Sequence, residues 1–174
     1  MHPSLPHLMA TAATTGLADS FRRDVAAAHA HRLPLRVDEI NSVSCGADRA
    51  VSHTFASSLW AVDAMFELAR VGVDGVNVHT FPGAGYELFR IARHGGRWSA
   101  AVAPEYYGLI LFARAAPPGS RLLRVSGRAG GQSFGEVTDT GDLTGARDVE
   151  SVNATSGRYV VHLPAASAAL LTTG

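Results

Sequence analysis

The stretch from Leu33 to Thr80 restricts the fold more than any other part of the chain. It opens with "LPLRVDEI", runs through "SHTFASSLWAVDAMFELARV" and ends in "DGVNVHT". In the middle segment Phe55, Leu59, Val62, Phe66 and Ala69 recur close to a 3.6-residue period. That spacing predicts a helix from about Ser52 to Val71, with Gly72 as its stop. Residues 35–40 and the "DGVNVHT" segment read as strands. Two strands joined through a long helix form a parallel pair with a crossover.

The flanks extend the same pattern. Residues 1–18 read as a loop or disordered lead-in, and Asp19 and Ser20 can cap a helix running to about Arg32, with Phe21, Val25 and Ala28 on one face. Pro34 closes that connection. A glycine-rich loop follows Thr80 and leads into "APEYYGLILFARAA", where Pro104 suits the first helical position and Glu105 suits the positive end of the helix dipole. From about Pro117 the segments are short, β-prone and separated by Gly, Ser, Thr and Asp, which predicts part of an all-β unit. The expected organisation is a lead-in over 1–18, an α/β unit over 19–116 and a β-rich unit over 117–174.

With 174 residues there is room for one domain with a real core, or for one domain and a fragment of another. Fifteen basic and fifteen acidic side chains cancel without forming a block, so nothing in the charge pattern points to nucleic acid or an anionic membrane surface. The single cysteine, Cys45, excludes an internal disulfide and a multi-cysteine metal site. His29 and His31 diverge on a helix, and His2 and His7 lie in the lead-in, so no metal or other cofactor is expected. No Lys or Arg precedes Arg22, and Pro3 and Pro6 interrupt the start, which argues against a signal peptide. No run reaches the roughly 18 apolar residues of a membrane span. Localisation stays open.

Two adjacent acids end the first strand. Alternation puts Leu35, Val37 and Glu39 on one face and Arg36, Asp38 and Ile40 on the other, so the acids diverge. Glu39 falls at the C-terminal end, where parallel α/β folds bind ligands. On the second strand Asn77 and His79 share a face opposite Val76 and Val78. Polar side chains there are costly unless they serve a polar cavity or find partners. If that face lines a barrel, Glu39, Asn77 and His79 converge at its mouth. Plainer roles stay open: Glu39 as a cap or an ion-pair partner of Arg49, His79 as a satisfied core histidine, Cys45 as an incidental loop thiol.

Four motifs add a resemblance. "EIN", "CGA", "VSHTF" and "GVNVH" resemble the motifs of the nucleophile region of glycoside hydrolase family 79, the β-glucuronidase and heparanase group. The segment from about Phe21 to Ala116 resembles this family, closest to its microbial β-glucuronidase branch, and "LPAASAALL" resembles the closing strand of its C-terminal β-domain. The resemblance implies the C-terminal part of a (β/α)8 barrel, about two strands and three helices, followed by an incomplete β-sandwich domain. It implies a retaining mechanism with two carboxylates about 5–5.5 Å apart, one attacking the anomeric carbon and the other protonating the leaving oxygen. Glu39 falls on the nucleophile position, and Asn41 and His79 on supporting polar positions. Tyr86 and the backbone around Gly46 fall where the family binds the uronic acid carboxylate. The partner implied is a uronic acid glycoside, and full-length relatives are often secreted.

The sequence departs from the family in three ways. His53 stands where the family usually has Asp, the loop "SVSCGADRA" has fewer glycines, and the chain is shorter than the roughly 250 residues of a complete barrel. The family's acid/base lies on a strand with no counterpart here. Of the other glutamates only Glu87 falls near the expected mouth, in a loop where the family has no acid/base. The expectation is an enzyme part with weak or no activity alone, complemented by a separately encoded N-terminal half, or else a non-catalytic sugar-binding remnant.

Overall fold

The computed structural model describes residues 2–44, 47–122, 150–157 and 159–161. They form a mixed α/β unit. Helices α1 (Leu5–Leu8), α2 (Thr15–Ser20) and α3 (Arg22–Ala30) precede strand β1 (Arg36–Ile40). Helices α4 (Arg49–Ser52) and α5 (Phe55–Val71) then lead to strand β2 (Gly75–Val78), a hairpin of β3 (Phe89–His94) and β4 (Arg97–Val102), and helix α6 (Pro104–Ala115). The expected β-rich unit over 117–174 falls mostly outside the described residues.

Strands β1 and β2 pair in parallel, joined through α5 as the crossover expectation requires. Their register slips: Val37 pairs with Val76 but Ile40 with Val78, so β1 carries one extra residue. This bulge corrects the alternation expected for β1. Val37 and Ile40 are both buried, while Asp38 and Glu39 between them are both exposed. A strand with period two cannot bury residues three apart, and the bulge supplies the missing step. Asp74 fastens the other end of the pair. Its Oδ2 accepts from the Leu35 N–H at 2.8 Å and lies 2.8 Å from His29 Nε2, tying α3 to the entry of both strands.

Helix α5 is the centre of the core. Its most buried face carries Trp60, Ala61, Ala64, Met65, Leu68 and Val71 and packs with Ile40 and Val43. The stripe expected to face the core, Phe55 through Ala69, is half-buried instead and partly turned to α6, where Phe66 meets Phe112 edge to face at 5.0 Å. The helix is thus sandwiched, and one stripe was too narrow a description. Gly72 ends it in a left-handed conformation (φ 96°), as expected. Helix α6 approaches closely at Gly108, where an added Cβ would collide with the Ser58 carbonyl oxygen and reach 3.0 Å from Ala61 Cβ.

Two further expectations are corrected. Residues 5–20 are not a loose lead-in but short helices packed on α5: Leu8 and Ala18 are buried, and Trp60 Nε1 donates to the Ala13 carbonyl at 3.0 Å. Asp19 and Ser20 close α2 rather than capping α3, and Asp19 bridges Arg22 and Arg70. The glycine-rich loop after Thr80 contains the β3–β4 hairpin. Gly95 and Gly96, with φ of 53° and 80°, make the two-residue turn that a right-twisted hairpin favours.

Candidate functional site

The C-terminal end of β1 opens into a cleft of about 620 Å3. Glu39, Asn41 and Tyr86 line it together with Trp60 of α5 and Gly16 and Leu17 of α2. A smaller depression of about 220 Å3 adjoins it, shares Ser42, Val43 and Ser44, and is bordered by His2 and His7. Glu39 is exposed to the cleft and, among the described residues, makes neither an ion pair nor a hydrogen bond.

Asn41 ties the two strand ends together. Its Nδ2 donates to the His79 carbonyl at 2.5 Å, and its Oδ1 accepts from the Ser42 N–H at 2.6 Å and the Ser42 hydroxyl at 3.0 Å. The Ser42 hydroxyl also lies 3.0 Å from that of buried Ser52. The His79 ring does not line the cleft. It stands against Phe81 and Tyr86, each 5.6 Å between centroids, and so supports Tyr86 from behind. Asn77 does not join the group: it is exposed and accepts from Arg36 Nε at 3.0 Å, so the expected convergence of Glu39, Asn77 and His79 is corrected. Gly46 and Cys45 lie outside the described residues.

Arg49 has a partner, and it is Glu87 rather than Glu39. Arg49 donates to Glu87 Oε1 at 2.9 Å, and the Gly83 N–H donates to Oε2 at 2.7 Å. Burial works against the Glu87 charge, but the Gly83 N–H and the Arg49 guanidinium outweigh it and hold the carboxyl below its ordinary range. This ion pair pins the loop bearing Tyr86 to the start of α4. Beside it His53 is held below the ordinary histidine range, first by burial and then by the Arg49 charge, and its Nε2 is buried without a partner.

Glu105 departs most from expectation. It does not lie at the surface sensing a helix dipole. Only 1% of it is exposed, neither carboxyl oxygen has a hydrogen-bond partner, and burial raises its pKa to about 7, opposed by the nearby Ser42 hydroxyl. Sequence reasoning missed this group and Trp60. An acid at the second position of a helix looks the same whether it faces solvent or core. Trp60 sat outside the apolar stripe assigned to α5.

Among the described residues no group of three or more His, Cys, Asp or Glu side chains is arranged to hold a metal ion, and no helix is long and apolar enough to cross a membrane. The described residues define a mixed α/β unit with the Glu39 carboxylate in a cleft at the C-terminal end of β1 of a parallel strand pair. No protein-family model matches this chain, and no curated protein matches it.

Proposed function

We propose that this chain is the nucleophile-bearing part of a retaining glycoside hydrolase of the family 79 type, acting on β-glucuronides or related glycosides. On this reading β1, α5 and β2 correspond to the seventh and eighth strand region of a (β/α)8 barrel. One observation carries it: Glu39, Asn41 and Tyr86 line a single cleft at the C-terminal end of β1, the first strand of a parallel pair, with Tyr86 reaching it from the loop after the second. The Glu39 carboxylate attacks the anomeric carbon as the glycosidic bond breaks, and water later releases the sugar from the glycosyl ester. Asn41 and His79 hold the strand ends and Tyr86 in position. The Tyr86 phenol, with the backbone around Gly46, donates to the uronic acid carboxylate without adding a charge that would disturb Glu39.

Glu39 is the one carboxylate among the described residues lining the cleft, and Glu87 is occupied by Arg49 and Gly83. That favours a second reading, a sugar-binding remnant without turnover. The two are separated by a 2-fluoro glucuronide with an activated leaving group, which needs no acid to depart. The enzyme reading expects a covalent adduct on the peptide containing Glu39, detected by mass spectrometry and lost in Glu39→Gln. The remnant reading expects no adduct, but uronic acid binding that survives Glu39→Gln and is lost in Tyr86→Phe. An adduct on another residue, or neither adduct nor binding, overturns both.

A further inference from the structure

The β3–β4 hairpin exposes apolar surface that the rest of the fold buries. Ile91 is 57% and Trp98 70% exposed, whereas Trp60 is buried. The antiparallel register puts Phe89, Ile91 and Arg93 on one face, opposite Val102, Ala100 and Trp98. That face is apolar, and the Arg93 guanidinium lies over the Trp98 ring, 5.5 Å from its centroid. Phe89 anchors its base against Tyr106 of α6, with 5.2 Å between ring centroids. The opposite face carries Arg90, His94 and Arg97 among small residues.

The charge of this hairpin has no counterpart nearby. No acid stands between Glu87 and Glu105 in the sequence. Glu87 is taken by Arg49, and among the described residues no ion pair involves Arg90, Arg93 or Arg97. The backbone is open as well. The Ala103 N–H donates to the Leu88 carbonyl at 2.8 Å, so every second pair from there bonds inward. Phe89, Ile91 and Arg93 therefore turn their N–H and C=O groups to the outer edge of β3. That edge has no neighbouring strand among the described residues.

We propose that the outer edge of β3 takes an extended peptide segment of a partner protein in which acidic and apolar residues alternate. The segment adds a third strand to the hairpin. Its backbone completes the hydrogen bonds that Ile91 and Arg93 leave open. Its side chains point alternately to the two faces, so its apolar residues extend the Phe89–Ile91 face while its acids meet Arg90 and His94.

The separation of the two faces selects this occupant. A flat anionic surface such as a lipid bilayer reaches one face of the ribbon at a time. Seating the apolar face on it would leave Arg90 and Arg97 pointing away from the opposite charge. A second copy joined antiparallel through the same edge would continue the basic face with another basic face, and like charges across strands are unfavourable. An alternating acidic strand satisfies the edge and both faces together. No hairpin residue lines the Glu39 cleft, so the inference stands apart from the glycosidase reading.

The test titrates the full chain with a synthetic peptide of about eight residues in which Glu and Val alternate. One control has the same composition with the glutamates grouped at one end; the other has Lys in place of Glu. Binding is followed by NMR, with amide hydrogen exchange read residue by residue. The alternating acidic peptide should bind at least about tenfold more tightly than either control. It should slow exchange at Ile91 and Arg93 and leave Arg90 and Ala92, already bonded to β4, unchanged. Arg90→Glu combined with His94→Glu should turn the preference toward the lysine peptide. Ile91→Pro, which removes one outward N–H from an edge where proline is tolerated, should abolish the protection of Arg93. Absence of binding, equal binding of the grouped peptide, or binding without protection at Ile91 and Arg93 would overturn the proposal. So would tighter binding to phosphatidylserine vesicles than to the peptide, or protection of the same amides by raised protein concentration alone. Should the variants fail to fold, the three peptides on the wild-type chain decide.

Discussion

A carboxyl at the first turn of a helix ordinarily stays charged, because free backbone N–H groups and the helix dipole reward the charge. Glu105 makes no hydrogen bond to such N–H groups and is sealed from water, and the result should be visible in stability. Burial raises its pKa to about 7 in the folded chain, against an ordinary 4.5 for the carboxyl. Below the lower value it is neutral in both states and its full contribution is present. Between the two values the unfolded chain ionises first and stability falls; above the upper value the loss is complete. That loss is about 3 kcal/mol at the standard conversion from pKa to free energy. His53, depressed in the folded state, works the other way: its contribution is present above 6.5 and lost as pH falls. Urea denaturation at pH 5 and pH 8 should therefore be read as the difference between wild type and Glu105→Gln, in which His53 cancels. The variant should gain on the wild type by roughly 2.5 kcal/mol on going from pH 5 to pH 8, since part of the loss has already occurred at pH 5, and an unchanged difference would exclude a buried, ionisable Glu105. At this scale the sequence was uneven. Strand alternation singled out Glu39 with Asn77 and His79, and Asn77 turned elsewhere because the bulge breaks that alternation; Asn41 and Tyr86, which line the cleft with Glu39, entered only through the family resemblance. Glu105 was not legible, because its sequence position fits an exposed role equally well.

The elements are held by a few close approaches, and two glycines separate tight packing from open packing. Gly108 faces the Ser58 carbonyl across the α5–α6 contact, while an added Cβ at Gly16 in α2 would meet Ala12 Cβ at an ordinary 3.6 Å. Gly108→Ala must push the helices apart and should destabilise by about 1–3 kcal/mol. Gly16→Ala should stabilise by about 0.5–1 kcal/mol, because it relieves the helix of a glycine without a clash. Thermal denaturation of the two variants should give shifts of opposite sign; the same sign in both would contradict the packing described. Helix α5 and the strand pair were legible because their periodicities are long enough to read. The bulge in β1 was not, since an extra residue in a five-residue strand leaves no pattern to interrupt. The hairpin was hidden differently. "FRIARHGGRWSAAV" carries both the two-glycine turn and its flanking strands, but the glycines were read as belonging to a loop.

At the scale of the molecule, the decisive fact is that each strand has a single neighbour among the described residues. Among the described residues β1 pairs with β2 alone and β3 with β4 alone. The outer edges of a parallel pair keep half of their N–H and C=O groups unpaired, and purely parallel sheets normally sit inside larger ones. The proposed function makes the same demand from chemistry, because a retaining glycosidase needs a second carboxylate about 5–5.5 Å from Glu39. Both needs would be met by one partner, a chain supplying the remaining barrel strands and the acid. Co-expression with such a chain, encoded next to this one, should yield a stable one-to-one complex. Hydrolysis of an unactivated β-glucuronide should then rise by about 10²–10⁴-fold over either part alone, the usual contribution of a positioned general acid. Glu39→Gln in this chain should abolish that gain while leaving the complex intact, which separates assembly from chemistry. Assembly without turnover would leave the strand edges explained and remove Glu39 from the reaction. Turnover unaffected by Glu39→Gln would refute the nucleophile assignment itself.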